Sequence, residues 1–420
     1  MLNKIKQIIS KEFFKNVFTL MTGSAIAQII TIAAIPLLSR LFTPDEFGVF
    51  AVFVSLTSLI SSVSAGRYEL AIMLPKHNEK AFHILIISVW LVILTTILSF
   101  IILFLFFKPI SKLLEFENYR YFIFLVPISI FFQATYKIFN NWFSRFKNFK
   151  EISISKVIKS GTGVGSKISF AYLGFGSIGL ALGETISCFF SGIFLFFRNK
   201  NKQAFNYKFN KELLKEEMIK HKNFPFFSMP MAFLNSISVN VLVYFLTIAF
   251  NSTVVGLYSQ ANKVINFPLN FLSNSFTSVF YQKITTTKNR INLYLLSYIS
   301  SFIIAFVILL PIVFWGEDLF GFVLGKEWIY SGHIAKFLIP LAVAGFATRN
   351  TSSVFLYLNL QKLTLIWQVI YLLIAICIFY FFKETKLDTI LLYFSFFGAI
   401  MYISLAFVGY RKLKQSEFLK

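Results

Sequence analysis

The sequence predicts an all-α polytopic membrane protein with about 12 transmembrane helices in two pseudo-symmetric six-helix lobes. Three observations predict it. Hydrophobic residues make up 57% of the 420, and 56 are phenylalanine; a soluble domain averages about 45–50% apolar residues even with glycine counted. Runs almost free of charge, such as 82–107, 291–315 and 363–382, reach or exceed the roughly 20 residues that cross a hydrocarbon core of about 30 Å. These runs do not alternate, which excludes a membrane barrel. The longest hydrophilic segment, 198–223, divides the runs six and six.

In chain order, the leader 1–16 places Leu2, Ile5, Ile9 and Phe13 on one helical face and Lys4, Lys11 and Lys15 off it, the pattern of a helix lying on a membrane surface. No cleavable signal is visible, because the first apolar run is too long and no small-residue cleavage site follows it. Spans are expected near 17–38, 47–65, 82–107, 119–140, 153–173 and 178–197, the last two as a tight hairpin. After a cytoplasmic linker at 198–224, the second six are expected near 225–249, 255–281, 292–315, 335–357, 363–382 and 389–410. The N-terminal lobe is thus 1–197 and the C-terminal lobe 225–420. Cys188 and Cys377 both sit inside apolar runs and read as packed thiols.

Lysine and arginine crowd the N-terminus, the loops after even-numbered spans and the C-terminus, and are sparse in the opposite loops. That bias puts both termini in the cytoplasm. It also accounts for most of the net charge of +22, which therefore does not indicate nucleic-acid binding. The halves read as parallel repeats. An offset of 208 residues lays Phe42 on Phe250, Gly48 on Gly256 and Phe50 on Tyr258. Each aligned turn carries cap chemistry, Thr43-Pro44-Asp45-Glu46 as a capping box and Asn251-Ser252 as a simpler cap.

The stretch KSGTGVGSKISF, 159–170, resembles a phosphate loop only superficially. The second motif glycine is replaced by Ser166, Ile168 stands where Ser or Thr is required, and no strand precedes it. It reads instead as a transmembrane helix whose Gly161 and Gly165 permit close packing. Charges inside spans are mostly cationic: Lys137, Lys159, Lys167, Lys263 and Arg349, with Glu184 as the acid well inside a span. Each cation either snorkels to a headgroup or faces a cavity, and Lys167 has the further option of pairing with Glu184. Asn262, Asn266, Asn270 and Asn274 form a stripe on the eighth span, where Pro268 is a candidate kink. Ser55, Ser58 and Ser62 on the second span, with Ser24, Gln28 and Thr31 on the first and Asn235, Ser238 and Asn240 on the seventh, form a comparable polar set. These serve either interhelical hydrogen bonding or a hydrated vestibule. Amides, hydroxyls and fixed positive charge suit a sugar phosphate cargo.

The segments LLSRLFTPDEFGVFAVF, 37–53, and GRYELAIMLPK, 66–76, resemble the start of bacterial polysaccharide flippases, the Wzx-type members of the multidrug/oligosaccharidyl-lipid/polysaccharide exporter superfamily. The resemblance implies a V-shaped pair of lobes that rock to move undecaprenyl-pyrophosphate-linked oligosaccharide to the outer leaflet of the bacterial inner membrane, serving lipopolysaccharide O-antigen or capsule synthesis. It implies a polysaccharide polymerase and a chain-length regulator as partners, with the lipid bilayer and no nucleic acid. It places Arg40 at the outer mouth and Arg67 with Glu69 at the cytoplasmic mouth; the plainer reading of the latter two is a structural ion pair. No cofactor is expected. A proton or sodium gradient, with Glu69 and Glu184 as coupling candidates, or the membrane potential would supply the drive. The rivals are a multidrug exporter of the same fold, which should carry acids in its cavity, a lipid II flippase, and a polymerase or glycosyltransferase. The last would need a catalytic outer loop, and 316–334 shows no paired-carboxylate or metal-ligand spacing. His77, His83, His221 and His333 are scattered and suggest no metal site.

Overall fold

The structure is a computed structural model describing residues 11–113, 120–198, 207–287, 289–358, 360–382 and 384–418. The leader 1–10 and the side chains of 11–18 lie outside the described residues, and with them the expected surface helix; so does the side chain of Asn274. All regular structure among the described residues is helical.

Twelve helices of twenty residues or more follow one another among the described residues: α1 Lys11–Ala33, α2 Pro44–Val63, α3 Asn78–Leu105, α4 Arg120–Arg145, α5 Phe149–Tyr172, α6 Gly176–Phe197, α7 Met229–Ala249, α8 Ser252–Thr286, α9 Arg290–Leu324, α10 Ile329–Thr351, α11 Gln361–Phe382 and α12 Leu387–Phe418. Helix α1 continues past Ala34 as a short helix, Ile35–Leu41, the break falling beside Pro36, which has no N–H to give the preceding turn. Helix α2 opens on the expected capping box. The Glu46 N–H donates to Thr43 Oγ1 at 3.3 Å and the Thr43 N–H to Glu46 Oε2 at 2.8 Å. Helix α8 is capped by Asn251, whose Oδ1 accepts from the Val254 N–H at 3.0 Å. The α5–α6 hairpin turns on Gly174 and Gly176, at φ 74° and 53°, a region open to glycine at little cost.

Nine helical segments among the described residues are long and apolar enough to cross a membrane. The three long helices outside that set are α4, α5 and α8. Their length suffices, since 24 residues of α5 rise about 36 Å; polar side chains lower their hydropathy. Large side chains such as Trp90, Leu94 and Phe104 are exposed on α3, as a helix facing lipid requires. The chain is a multi-pass helical membrane protein.

Two compact units make up the fold, 1–237 and 238–420. In unit 1, Ile138, Trp142 and Phe143 of α4 pack against Ile84 and Leu85 of α3 and against Ile72. A connector helix, Lys211–Lys220, is fastened to the same unit. Tyr68 Oη donates to the Met218 carbonyl at 2.9 Å, Lys80 Nζ meets Glu216 Oε1 at 2.9 Å, and the Asn210 N–H donates to His83 Nε2 at 3.1 Å. In unit 2, Phe280, Tyr294, Phe355 and Leu413 form a core.

Three details differ from the sequence reading. Gly161 and Gly165 face open space, and the close approach of α5 to α6 falls at Gly163 and Gly183 instead. A Cβ on Gly163 would lie 3.1 Å from Ser187 Cβ, and one on Gly183 would lie 3.1 Å from the Lys167 backbone nitrogen. The segment 316–334 is not a long loop. Helix α9 runs on to Leu324, non-helical only at Trp315 (φ −121°), and just Gly325–Trp328 separates it from α10. Cys188 is buried as expected, but Cys377 is exposed on α11.

Helices α9 and α10 meet backbone to backbone, Gly332 lying against the Gly316 carbonyl. A methyl group at either position must push the helices apart. Gly332→Ala is expected to destabilise unit 2 by about 1–3 kcal/mol, read as a lower melting temperature in detergent, whereas Gly161→Ala, with nothing within 4 Å of the new Cβ, is expected to be neutral or slightly stabilising.

Candidate functional site

Unit 1 holds a polar, predominantly cationic patch built by α2, α4, α5 and α6. Glu184 of α6 stands between two lysines of α5. Lys167 Nζ lies 2.9 Å from Glu184 Oε2 and Lys159 Nζ 3.6 Å from Oε1. Residues 159 and 167 are eight apart, two helical turns and a little more, so both ammonium groups reach one carboxylate from the same side. Their charges also sit over aromatic rings, Lys167 at 4.8 Å from the centroid of Phe50 and Lys159 at 5.6 Å from that of Tyr136.

Lys137 of α4 has no carboxylate partner among the described residues. It donates to Ser61 Oγ at 3.0 Å, Ser61 to Gln133 Oε1 at 3.2 Å, and Gln133 Nε2 to Thr57 Oγ1 at 3.2 Å. Thr57 closes the chain by donating to the Phe53 carbonyl at 2.9 Å. The polarity is consistent from end to end: each group donates to the next, and a backbone oxygen is the sink. The ammonium spends one of its three N–H groups this way, and Lys137 is exposed. It lies within electrostatic range of Lys159, Arg67 and Glu69. Lys156, one turn before Lys159, bonds among the described residues a hydroxyl, Ser24 Oγ of α1 at 2.8 Å. Four cations, Arg67, Lys137, Lys159 and Lys167, thus surround two carboxylates, Glu69 and Glu184, an excess of +2 before Lys156 is counted.

Arg67 and Glu69 sit in the turn after α2. Gly66 and Arg67 both have left-handed backbone, φ 59° and 62°, which reverses the chain and points Glu69 inward. Arg67 Nη1 lies 3.4 Å from Glu69 Oε1. Glu69 is 6% exposed, and its Oε2, like Arg67 Nε, is buried with no hydrogen-bond partner among the described residues. Burial pushes the Glu69 carboxyl above the usual carboxylate range, against a backbone hydrogen bond and the charges of Arg67 and Lys137.

The remaining candidates lie elsewhere. Arg40 is exposed at the end of the short helix 35–41. In unit 2, Lys263 and Asn270 are exposed on α8, while Asn266 Nδ2 donates to Asn262 Oδ1 at 2.7 Å. That bond makes part of the asparagine stripe self-satisfying. Arg349 is exposed on α10 and its Nε donates to the Gly345 carbonyl, one turn back, at 3.2 Å. Its neighbour Asn350, not singled out in the sequence, is buried and accepts from Ser273 at 2.6 Å and donates to Ser301 at 3.1 Å. Lys156, Gln133 and Ser61 were equally hard to select beforehand, and Lys137 was visible only as a charge in a span, since their partners lie on other helices.

Two consequences are measurable. Glu184→Gln leaves two facing ammonium groups unneutralised and is expected to cost about 2–3 kcal/mol, below the range for a fully buried pair because the lysines keep some solvent. Lys167→Met should cost less, since Lys159 still neutralises Glu184; urea or thermal melts in detergent rank the two. Glu69 behaves oppositely. Its raised folded-state pKa makes its contribution to stability greatest in acid and lost as pH rises. Glu69→Gln is therefore expected to gain on the wild type in melting temperature as pH is taken from 4 to 7.

Among solved structures, the inward-facing conformation of a multidrug resistance MATE family transporter of the MOP superfamily matches with a TM-score of 0.61 at 16% identity, over 96% of this chain and 94% of that one. A MATE transporter in complex with MaD5 matches with a TM-score of 0.59 at 17% identity, over 96% and 94%. A MOP superfamily transporter from Pyrococcus furiosus matches with a TM-score of 0.50 at 15% identity, over 97% and 95%. At these identities the likeness is one of fold. No curated protein matches the chain. The family described as polysaccharide biosynthesis protein matches residues 37–331, some seven-tenths of the sequence. The chain belongs to the polysaccharide biosynthesis protein family, on the fold of the MOP-superfamily transporters.

Proposed function

We propose that this transporter is a Wzx-type flippase that moves undecaprenyl-pyrophosphate-linked oligosaccharide from the cytoplasmic to the outer leaflet of a bacterial inner membrane by alternating access. The carrying observation is the excess of cations over carboxylates in the patch of α4, α5 and α6. A pyrophosphate diester carries about two negative charges and only acceptor oxygens, the complement of ammonium groups with N–H bonds to spare. Lys137 and Lys156, each held by a hydroxyl and not by an acid, are the groups an anion would take over. Lys167 and Lys159 shape the field around it. Arg67 receives the headgroup at the cytoplasmic mouth and Arg40 meets it at the outer one. Asn262, Asn266 and Asn270 offer amides to sugar hydroxyls, with Lys263 and Arg349 supplying charge in unit 2. In this reading all twelve long helices cross the bilayer, six on each side of a cytoplasmic linker at 198–224, and both termini are cytoplasmic. The polymer is an O-antigen or capsule, made with a polymerase and a chain-length regulator.

The drive is assigned on the same chemistry. Glu184, neutralised by two lysines, is a poor site for a coupling cation, and Glu69, raised by burial, is the better proton acceptor of the two. The membrane potential adds outward force on an anionic headgroup, about 2.3 kcal/mol per charge per 100 mV. The Pyrococcus furiosus MOP transporter is described as having a binding pocket of reverse polarity that suggests a different function, and a cationic patch here supports a departure from drug export as well. An exporter of cationic drugs is the second reading, and these lysines count against it.

Lys137→Ala is expected to reduce flipping by about 10–100-fold, the equivalent of a charge-assisted hydrogen bond of about 1.5–3 kcal/mol, with lipid-linked oligosaccharide accumulating at normal protein level. Lys137→Arg should keep most of the activity. Normal surface polymer in Lys137→Ala and Lys156→Ala together would overturn the assignment, and vesicle assays with potential and ion gradients collapsed separately would identify the drive.

A further inference from the structure

Three helices of unit 2 meet at one end in a cluster that the lysine patch does not involve. The glycine contact of Gly316 with Gly332 brings the next residues, Glu317 and His333, face to face. His333 Nδ1 lies 3.3 Å from Glu317 Oε1 of α9, and Nε2 lies 3.1 Å from Asp388 Oδ2 at the start of α12. The other groups around the ring come from its own helix. Lys336 Nζ reaches Glu317 Oε1 at 2.9 Å, and Tyr330 Oη donates to Asp388 Oδ1 at 3.2 Å. The Tyr330 ring stacks on the imidazole at 5.3 Å, and Phe337 meets it edge-on at 5.2 Å. The ring is thus fixed in plane, with one nitrogen toward each carboxylate.

That arrangement has a definite proton requirement. An ionised carboxylate only accepts hydrogen bonds, so two carboxylates on opposite ring nitrogens need two N–H donors. Imidazolium has two; neutral imidazole has one and must turn a lone pair toward the other acid. With the proton, two acids face two cations, His333 and Lys336, and the cluster is balanced. Without it the cluster carries one uncompensated negative charge and one bond becomes a repulsion. Histidine is the side chain that exchanges this proton between about pH 5 and 8.

We propose that His333 is a proton-binding site, and that the bound proton ties α9 to α12 through α10. Loss of the proton releases one of the two ties and loosens that end of unit 2. With the lysine bias placing the connector in the cytoplasm, this end faces outward, where external pH acts on it. The inference depends on the geometry of unit 2 alone and not on the cargo.

The test uses full-length protein in lipid nanodiscs, melted between pH 5.5 and 8. Wild type should exceed His333→Gln by about 2 °C at the acid end, with the gap closing by pH 8. His333→Lys, whose charge is fixed, should hold the acid-end advantage over His333→Gln across the whole range. A wild-type gap that is constant with pH, or a His333→Lys indistinguishable from His333→Gln, overturns the proposal. Should His333→Gln not fold, the double variant Glu317→Gln/Asp388→Asn takes its place. It must remove the same pH-dependent increment, and its retention of the wild-type profile would overturn the proposal equally.

Discussion

A charge or an unpaired polar group inside a hydrocarbon layer is expensive, and most of this structure follows from how each one is accommodated. Glu184 is the clearest case. A lone carboxylate in the middle of α6 would be untenable, and two lysines from the adjacent helix neutralise it. Their reach fixes the register of α5 against α6, and the register in turn sets which glycines must be bare. Gly163 and Gly183 lie where the backbones converge, while Gly161 and Gly165, two residues either side of Gly163, point away. One electrostatic pairing thus dictates a packing seam.

Lys137 shows the same constraint met without an acid. Its ammonium is held at the head of a chain of donors running through Ser61, Gln133 and Thr57 to a carbonyl. Such a chain orients a charge without cancelling it. The distinction matters functionally, because a cation neutralised by glutamate offers little to an anionic cargo, whereas one held by hydroxyls keeps its field. In the proposed function that residual field is what meets the anionic headgroup.

The sequence carried the helices and their caps almost in full, because an apolar run of twenty residues has few other stable fates in a membrane and a capping box is local. The Lys167–Glu184 pair was legible for a similar reason: 17 residues and one tight hairpin separate its members. Lys137 could be noticed as a charge in a span, but not its setting, since Ser61 lies 76 residues away on a helix whose facing no periodicity fixes. The two glycines chosen for close packing had the right spacing on the wrong face, a displacement of two residues being about 200° around a helix. The segment 316–334 misled in another way. Its glycines and acids imitate a loop, yet Gly316 is buried against Gly332 and Glu317 pairs with His333 and Lys336 of α10.

The two units meet the cost of burial with different chemistry. Unit 1 uses ionised groups across its helices, lysine against glutamate and lysine against serine. Unit 2 uses neutral ones as well: Asn350 bridges Ser273 and Ser301, and Asn266 serves Asn262. Besides Lys263 on α8, Arg349 on α10 and the Arg290–Glu417 pair, it holds a charged cluster where His333 and Lys336 meet Glu317 and Asp388 in partial contact with solvent. The amide network joins its helices without charge, whereas the histidine joins α9, α10 and α12 through two carboxylates. Each unit thus meets its electrostatics separately. Unit 1 keeps a patch with cations in excess of acids, while unit 2 sets a histidine and a lysine against two carboxylates where α9, α10 and α12 meet.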